Sequence, residues 1–326
     1  MKKKTFKLQL VPLSLGIIFC LLLMISSCSP QQQGRSLVNL TERAEITQTG
    51  RKIRHAMGET VVSKKPKRVV VLTNEGTDML IALGVKPIGA VKSWQGDPFY
   101  DYIDAKLASV VVVGDEFQPN LEKIIALKPD LIIGSKVRQK QVYQQLAAIA
   151  PTVFSETLGG TWKENLQLYA QALNQEEKAT ALLAAWDQKV ATLKEKLGAN
   201  PPTVSLLRFL PGTAKIYYQK SFPGQIVAEV GLLRPEIQRK DSFADGVGLE
   251  SIQNIEADYL FYFTHNEKDN KGTETQIQWF RHPLWTKLKV VQNQNVYEVS
   301  DAEWTSSSGI LAANQVLDDL SKHLLK

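Results

Sequence analysis

Cysteine is almost absent from this 326-residue chain: Cys20 and Cys28 are its only two. That excludes a disulfide-rich scaffold and a cysteine-based zinc site. Histidine is scarce as well. His55, His265, His282 and His323 are widely scattered, which argues against a three-histidine metal centre and leaves each as a surface or packing residue. Motifs for phosphate binding and nucleophilic attack are missing. Gly84-Val-Lys-Pro-Ile-Gly89 runs into Ala90 where a P-loop needs lysine, and Gly246-Val-Gly248 continues as Leu-Glu-Ser rather than as a dinucleotide fingerprint. There is no G-x-S-x-G elbow and no H-E-x-x-H. A binding protein is therefore favoured over an enzyme, with no catalytic residue, no protein-held metal and no intrinsic cofactor assigned. A large one-signed charge is also lacking. Lys+Arg number 39 against 33 Asp+Glu, a net +6, and Lys2, Lys3, Lys4 and Lys7 supply four of these. Without residues 1–27 the count is 35 against 33, or +2. The electrostatic case for nucleic-acid binding goes with them.

The N-terminus carries an address. Lys2–Lys4 form a positive start, Leu8 to Ile25 is an apolar run broken by Gln9, Pro12, Ser14 and Gly16, and Ile25-Ser26-Ser27-Cys28 closes it. Small residues before a cysteine resemble a bacterial lipobox, whereas ordinary secretory signals end in an A-x-A-like site. The alternative is a single transmembrane anchor, for which the interrupted run is barely long enough. The lipobox reading makes residues 1–27 a signal peptide and Cys28 the lipidated first residue. It fixes the mature protein to a membrane from the outside, in the periplasm or its extracytoplasmic equivalent. Residues 28–51 read as a polar tether.

Strand and helix signals alternate from residue 52 to 161. Arg68–Leu72, Pro87–Val91, Val110–Val113, Leu131–Ile133 and Thr152–Phe154 read as strands. Gly76–Leu83, Pro119–Ala126 and Val137–Ala148 read as helices, the first stopped by Gly84. A hairpin around Gly58 precedes them. This spells an α/β lobe with a mainly parallel sheet. Residues 162–198 break the rhythm. Leu166, Tyr169 and Leu173, then Leu183, Trp186, Val190, Leu193 and Leu197, predict two consecutive helices, with Asn174 as the N-cap of the second. The second reads as a core helix or as a rigid connector of about 34 Å. A second alternating block, 199–326, predicts another α/β lobe. It has strands at Val204–Phe209, Lys215–Tyr218, Tyr259–Phe263 and Val296–Val299, and helices at Gly224–Val230, Leu249–Ile255 and Ser307–Leu325. The fold class is α/β: two Rossmann-like lobes joined by one long helix, with a ligand cleft between them.

Several segments then fall in a telling order. They are Lys67-Arg-Val-Val-Val-Leu72, Ala82-Leu-Gly-Val-Lys-Pro87, Pro119-Asn-Leu-Glu-Lys-Ile124, Lys128-Pro-Asp-Leu-Ile-Ile-Gly-Ser135, Ile149-Ala-Pro-Thr152, and Trp304 with Gly309. Over about residues 52–325 the chain resembles the ferric-siderophore substrate-binding proteins of ATP-driven importers, relatives of the ferrichrome- and vitamin B12-binding proteins. The resemblance implies a shallow cleft between lobes, an iron(III)–siderophore complex as ligand, and partners in an ABC permease dimer and its ATPase. The siderophore itself ligates the iron, so the protein need only offer arginine forks and flat aromatic walls.

Arg138 lies just past a strand end, where open α/β sheets bind ligands, and matches a ligand-contacting position of the ferrichrome-binding relatives; a solvated helix-start arginine is the other reading. Arg208 interrupts an apolar strand, which calls for a cleft role or a structural ion pair. Trp94 and Trp304 are loop tryptophans that could wall the cleft, and Trp304 matches a tryptophan of those relatives. Tyr218 and Phe243 stand between site and core. Glu116 replaces an arginine of the ferrichrome-binding pattern, which leaves citrate-based siderophores open. The resemblance also implies docking on the permease through one acid per lobe, at Asp78 and Glu229. Cobalamin or haem capture is the near alternative, a surface-anchored α/β enzyme or a structural lipoprotein the distant ones. A monomer is expected.

Overall fold

The computed structural model describes residues 45–46, 50–266 and 269–325. The expected signal peptide at 1–27, Cys28 and most of the expected tether at 28–51 lie outside the described residues. The described chain opens with an antiparallel sheet of β1 (Glu45–Ile46), β2 (Arg51–His55) and β3 (Gly58–Val62). Gly58 turns the hairpin at φ +119°, a conformation that only glycine adopts without strain. The hairpin docks on Phe154: Ala56 N donates to its carbonyl at 3.0 Å, and its own N–H donates to His55 Nδ1 at 3.2 Å.

Five strands form the first large sheet: β4 (Val69–Val71), β5 (Gly89–Ala90), β6 (Val111–Val112), β7 (Leu131–Ser135) and β8 (Thr152–Ser155). Their spatial order is β6-β5-β4-β7-β8, all parallel. The connecting helices are α1 (Asn74–Ala82), α2 (Asp101–Asp104), α3 (Leu121–Leu127), α4 (Lys136–Gln139) and α5 (Tyr143–Ile149). Crossover helices cover both faces of a parallel sheet, which is why β4 and β7 are buried throughout and apolar up to the closing Ser135 of β7. The strand order reverses between β4 and β7. That switch point opens a crevice at the strands' carboxyl ends.

Two helices leave this sheet, α6 (Trp162–Leu173) and α7 (Glu176–Leu197). With 22 residues, α7 spans about 33 Å. Asn174 does not cap α7, contrary to expectation. It closes α6 in the left-handed conformation (φ 56°), and its side chain accepts from Arg51, which also pairs with Glu176. Asparagine tolerates that geometry, so a helix stop read as a helix start.

The second large sheet holds β9 (Val204–Leu210), β10 (Thr213–Tyr217), β11 (Ala244–Val247), β12 (Tyr259–Thr264) and β13 (Val296–Glu298), in the order β11-β10-β9-β12-β13. β9, β12 and β13 are parallel, while β10 and β11 add antiparallel. Its helices are α8 (Phe222–Glu229), α9 (Lys271–Phe280), α10 (Lys289–Gln292) and α11 (Ile310–Leu324). Both sheets belong to one compact unit, and one core joins them. Val71 and Ile133 of the first sheet, Trp162 and Trp186 of the linking helices, and Phe261 and Val316 of the second half lie in a single buried cluster.

Two expected cleft or docking residues are structural instead. Trp304 is fully buried, stacks on Phe261 at 5.1 Å, and donates its Nε1 to Asp319 of α11 at 2.9 Å. A wide helical turn at Ala302–Ser306 swings it back onto the sheet, so loop placement does not mean exposure. Asp78 is likewise 0% exposed and cannot meet a permease. Its carboxylate accepts from Leu311 N at 2.9 Å and Ala312 N at 3.0 Å, capping α11, and from Tyr102 OH at 2.7 Å.

Candidate ligand-binding cleft

Three strands of the first sheet deliver candidate residues beyond their carboxyl ends. Trp94 follows β5, Glu116 and Phe117 follow β6, and Arg138 follows β7. Trp94 is half-buried and meets Phe117 edge-on at 5.5 Å. The guanidinium of Arg138 lies over Phe117 at 4.9 Å, and its Nε donates to Glu116 Oε2 at 2.9 Å. Phe117 is 59% exposed, a cost in water that a ligand face would remove. This wall combines an apolar surface with a fixed cation.

The opposite wall comes from the carboxyl ends of β9, β12 and β13. Arg208 is held by Asp301 through two bonds, Nε to Oδ1 at 2.6 Å and Nη2 to Oδ2 at 2.9 Å. Its Nη1 donates to Tyr217 OH at 3.0 Å and its Nη2 also to Ser306 Oγ at 3.1 Å. His265 Nδ1 lies 3.1 Å from Asp301 Oδ2. Burial alone would raise the Asp301 carboxyl, but the hydrogen bond from His265 and the Arg208 charge outweigh it and hold it below its ordinary value. Asp301 is thus an anion that fixes its cation. Phe243, 53% exposed, packs 5.3 Å from Tyr217 at the rim. The two walls touch through Gln95, whose Nε2 donates to Asp301 Oδ2 at 3.2 Å.

The structure therefore brings Trp94 and Arg138 together on one wall and Arg208 and Phe243 on the other. Tyr218 is not with them. It is 3% exposed and packs among Ile216, Ile252 and Leu260 in a separate core. Its neighbour Tyr217 takes the place. Glu229 is partly exposed but engaged, paired with Lys163 and accepting from Trp186 Nε1 at 3.0 Å. Sequence reasoning passed over Phe117, Tyr217, His265, Asp301 and Gln95. The Trp94–Phe117 pair had a readable signal, an aromatic beyond each of two adjacent strands. The others depend on pairing register. No cluster of three or more metal-ligating side chains exists among the described residues.

The sequence profile described as Periplasmic binding protein matches residues 69–302, which contain both walls. The chain belongs to the periplasmic binding protein family. Among curated members, it is 46% identical over 322 residues to YfiY of Bacillus subtilis (strain 168), named as a probable siderophore-binding lipoprotein, covering 96% of this chain and 98% of that one. It is 37% identical over 269 residues to the achromobactin-binding periplasmic protein of Dickeya dadantii (strain 3937), covering 79% and 86%. Among solved structures, SirA of Staphylococcus aureus complexed with staphyloferrin B superposes with a TM-score of 0.78 at 36% identity, covering 84% of this chain and 98% of SirA. The periplasmic binding protein architecture has two lobes with a ligand cleft.

Proposed function

We propose that this chain captures a ferric siderophore outside the cytoplasm and delivers it to the permease of an ABC importer. The observation that carries the reading is the pairing of an aromatic corner, Trp94 and Phe117, with a guanidinium fixed beside it and another opposite. An octahedral ferric chelate is bulky, oxygen-rich and often anionic, and that combination suits it. The names of YfiY, the achromobactin-binding protein and the SirA complex support the same cargo. A citrate-type or citrate-hydroxamate chelate fits best, because the arginines offer planar donors to carboxylate oxygens. The site asks nothing of the protein as a metal ligand, since the iron arrives already chelated.

Calorimetric titration of the full-length protein in detergent tests this. The panel holds ferric citrate, ferric staphyloferrin B, ferric citrate-hydroxamates, ferrichrome, ferric catecholates, cobalamin and haem. Iron-dependent binding of one ferric chelate is expected; silence across all ferric chelates would overturn the reading.

The lobes are proposed as 52–161 and 199–326, linked by 162–198. Cys28 is proposed as the lipid anchor: Cys28→Ser should move the protein from the membrane to the soluble fraction, and retention on the membrane would refute it. Of the two docking acids, Glu229 alone stays proposed. Glu229→Lys should abolish uptake while sparing chelate binding, and undiminished uptake would remove it too.

A further inference from the structure

Glu116 is buried in the loop after β6, with 3% of its side chain exposed. Its oxygens have divided tasks. Oε1 accepts from the backbone N of Asn74 at 2.7 Å and from Asn74 Nδ2 at 2.9 Å. Asn74 is the first residue of α1, so the carboxylate occupies a helix N-terminus, where free N–H groups and the dipole favour an anion. Gln139 Nε2 steadies the same loop by donating to the Glu116 carbonyl at 2.6 Å and to Leu72 O at 3.0 Å. From this fixed point Oε2 accepts the Nε of Arg138.

The two cleft arginines end up in different states. Arg208 uses Nε, Nη1 and Nη2 on Asp301, Tyr217 and Ser306, and its side chain is 14% exposed. Arg138 uses Nε alone, and its side chain is 30% exposed. No group among the described residues accepts from its terminal nitrogens, and Phe117 covers one face. An arriving oxyanion meets one guanidinium nearly saturated and another whose two-pronged edge is free.

We infer that Glu116 is a positioning residue for cargo binding: by holding Arg138 through Nε alone, it turns the terminal edge of that guanidinium toward the cleft, and Arg138 rather than Arg208 makes the charge-assisted contact with the chelate. The inference rests on the siderophore reading and deepens it. Two other roles for Glu116 predict different results. As a bare negative charge it would repel an anionic chelate, so its removal would tighten binding. As a purely structural group its removal would lower stability with no dependence on Arg138.

A double-mutant cycle of Glu116→Gln and Arg138→Ala decides among these. Affinity for ferric staphyloferrin B, ferric citrate and a ferric citrate-hydroxamate is read by calorimetry on the full-length protein in detergent, with a thermal melt of each variant. Arg138→Ala should weaken binding about 10- to 100-fold, the worth of a charge-assisted bond. Glu116→Gln should weaken it about tenfold in the wild-type background and less than about twofold in Arg138→Ala, because coupled residues do not add. Tighter binding in Glu116→Gln, or equal weakening in both backgrounds, would overturn the inference. Should Glu116→Gln fail to fold, Arg138→Lys carries the test. A lysine has one point of charge, which Glu116 would occupy, so its affinity should fall to that of Arg138→Ala; wild-type affinity would overturn the inference. If the wild type binds a ferric chelate and Arg138→Ala binds it equally well, the inference fails while the siderophore reading stands. If the wild type binds none, both fall.

Discussion

Glu75 and Asp78 lie within one turn of α1, and both are shut away from water. Glu75 accepts from Gly159 N at 2.6 Å and from Asn165 Nδ2 at 2.7 Å. Burial lifts its carboxyl from 4.5 to about 8, and lifts that of Asp78 from 3.8 to about 6. Folding therefore takes up protons at both. Their stabilisation is complete below the unfolded values, declines as pH rises, and is lost above about 6 for Asp78 and about 8 for Glu75. Replacing Glu75 with Gln removes one uptake. Urea unfolding across the window from 4.5 to about 8 should then show a flatter fall of stability with pH than in the wild type; an unchanged slope would place the proton elsewhere. Phe117 gives a second expectation. It is exposed, so Phe117→Ala should leave stability within about 0.5 kcal/mol. Calorimetry should show chelate affinity lowered about 3- to 30-fold through the lost aromatic and cation–π contacts. At this scale the sequence was legible where a residue broke its surroundings, as Arg208 does in an apolar strand. It was not legible where register decided. Arg208 pairs with Lys215 across β9 and β10. Side chains alternate, so Tyr217, two residues on, shares that face while Tyr218 points into the other core.

Elements were readable in proportion to their periodicity. The parallel strands, the hairpin and α7 carry strong patterns and stand within a residue or two of expectation. α9 carries none: its buried residues are Gly272, Thr275 and Trp279, only one of them a large apolar group, so no stripe marks the helix. The stretch expected as one helix from Val137 to Ala148 divides into α4 and α5, because Gln139 (φ −117°, ψ 16°) and Val142 (φ −102°, ψ 6°) leave helical dihedrals and a tighter 3-10 turn, Lys140–Val142, intervenes. α11 begins where it does because Asp78 reaches its first N–H groups from another element, a cap invisible to local sequence. Gly309 leaves space for that carboxylate, and a Cβ there would overlap it. Gly309→Ala should thus cost about 1–3 kcal/mol in urea unfolding; a cost near zero would show that the cap yields freely.

Across the molecule, α1 grips on two sides. Through Asp78 it holds the start of α11, and through Glu75 it holds the Gly159–Gly160 loop, which lies against Lys220 and Phe222 of the second half. Together with α7, a single stiff rod rather than paired hinge strands, these ties oppose large rotation between the halves. Small-angle scattering with and without a bound ferric chelate should show a radius of gyration changed by only about 1 Å or less, in contrast to a hinged closure; a marked compaction would show that the ties release.

The distribution of indoles has an optical consequence. Of six tryptophans, Trp162, Trp186, Trp279, Trp285 and Trp304 are each no more than 5% exposed, and Trp94 alone is half-open at the cleft. Emission should divide by solvent contact: five rings shielded from water supply the blue part, and one supplies the red edge that dissolved iodide can reach. A cargo seated against Trp94 shields that edge from iodide, so the chain carries its own occupancy gauge, and a Trp94→Phe protein should lose the iodide-sensitive part of its emission.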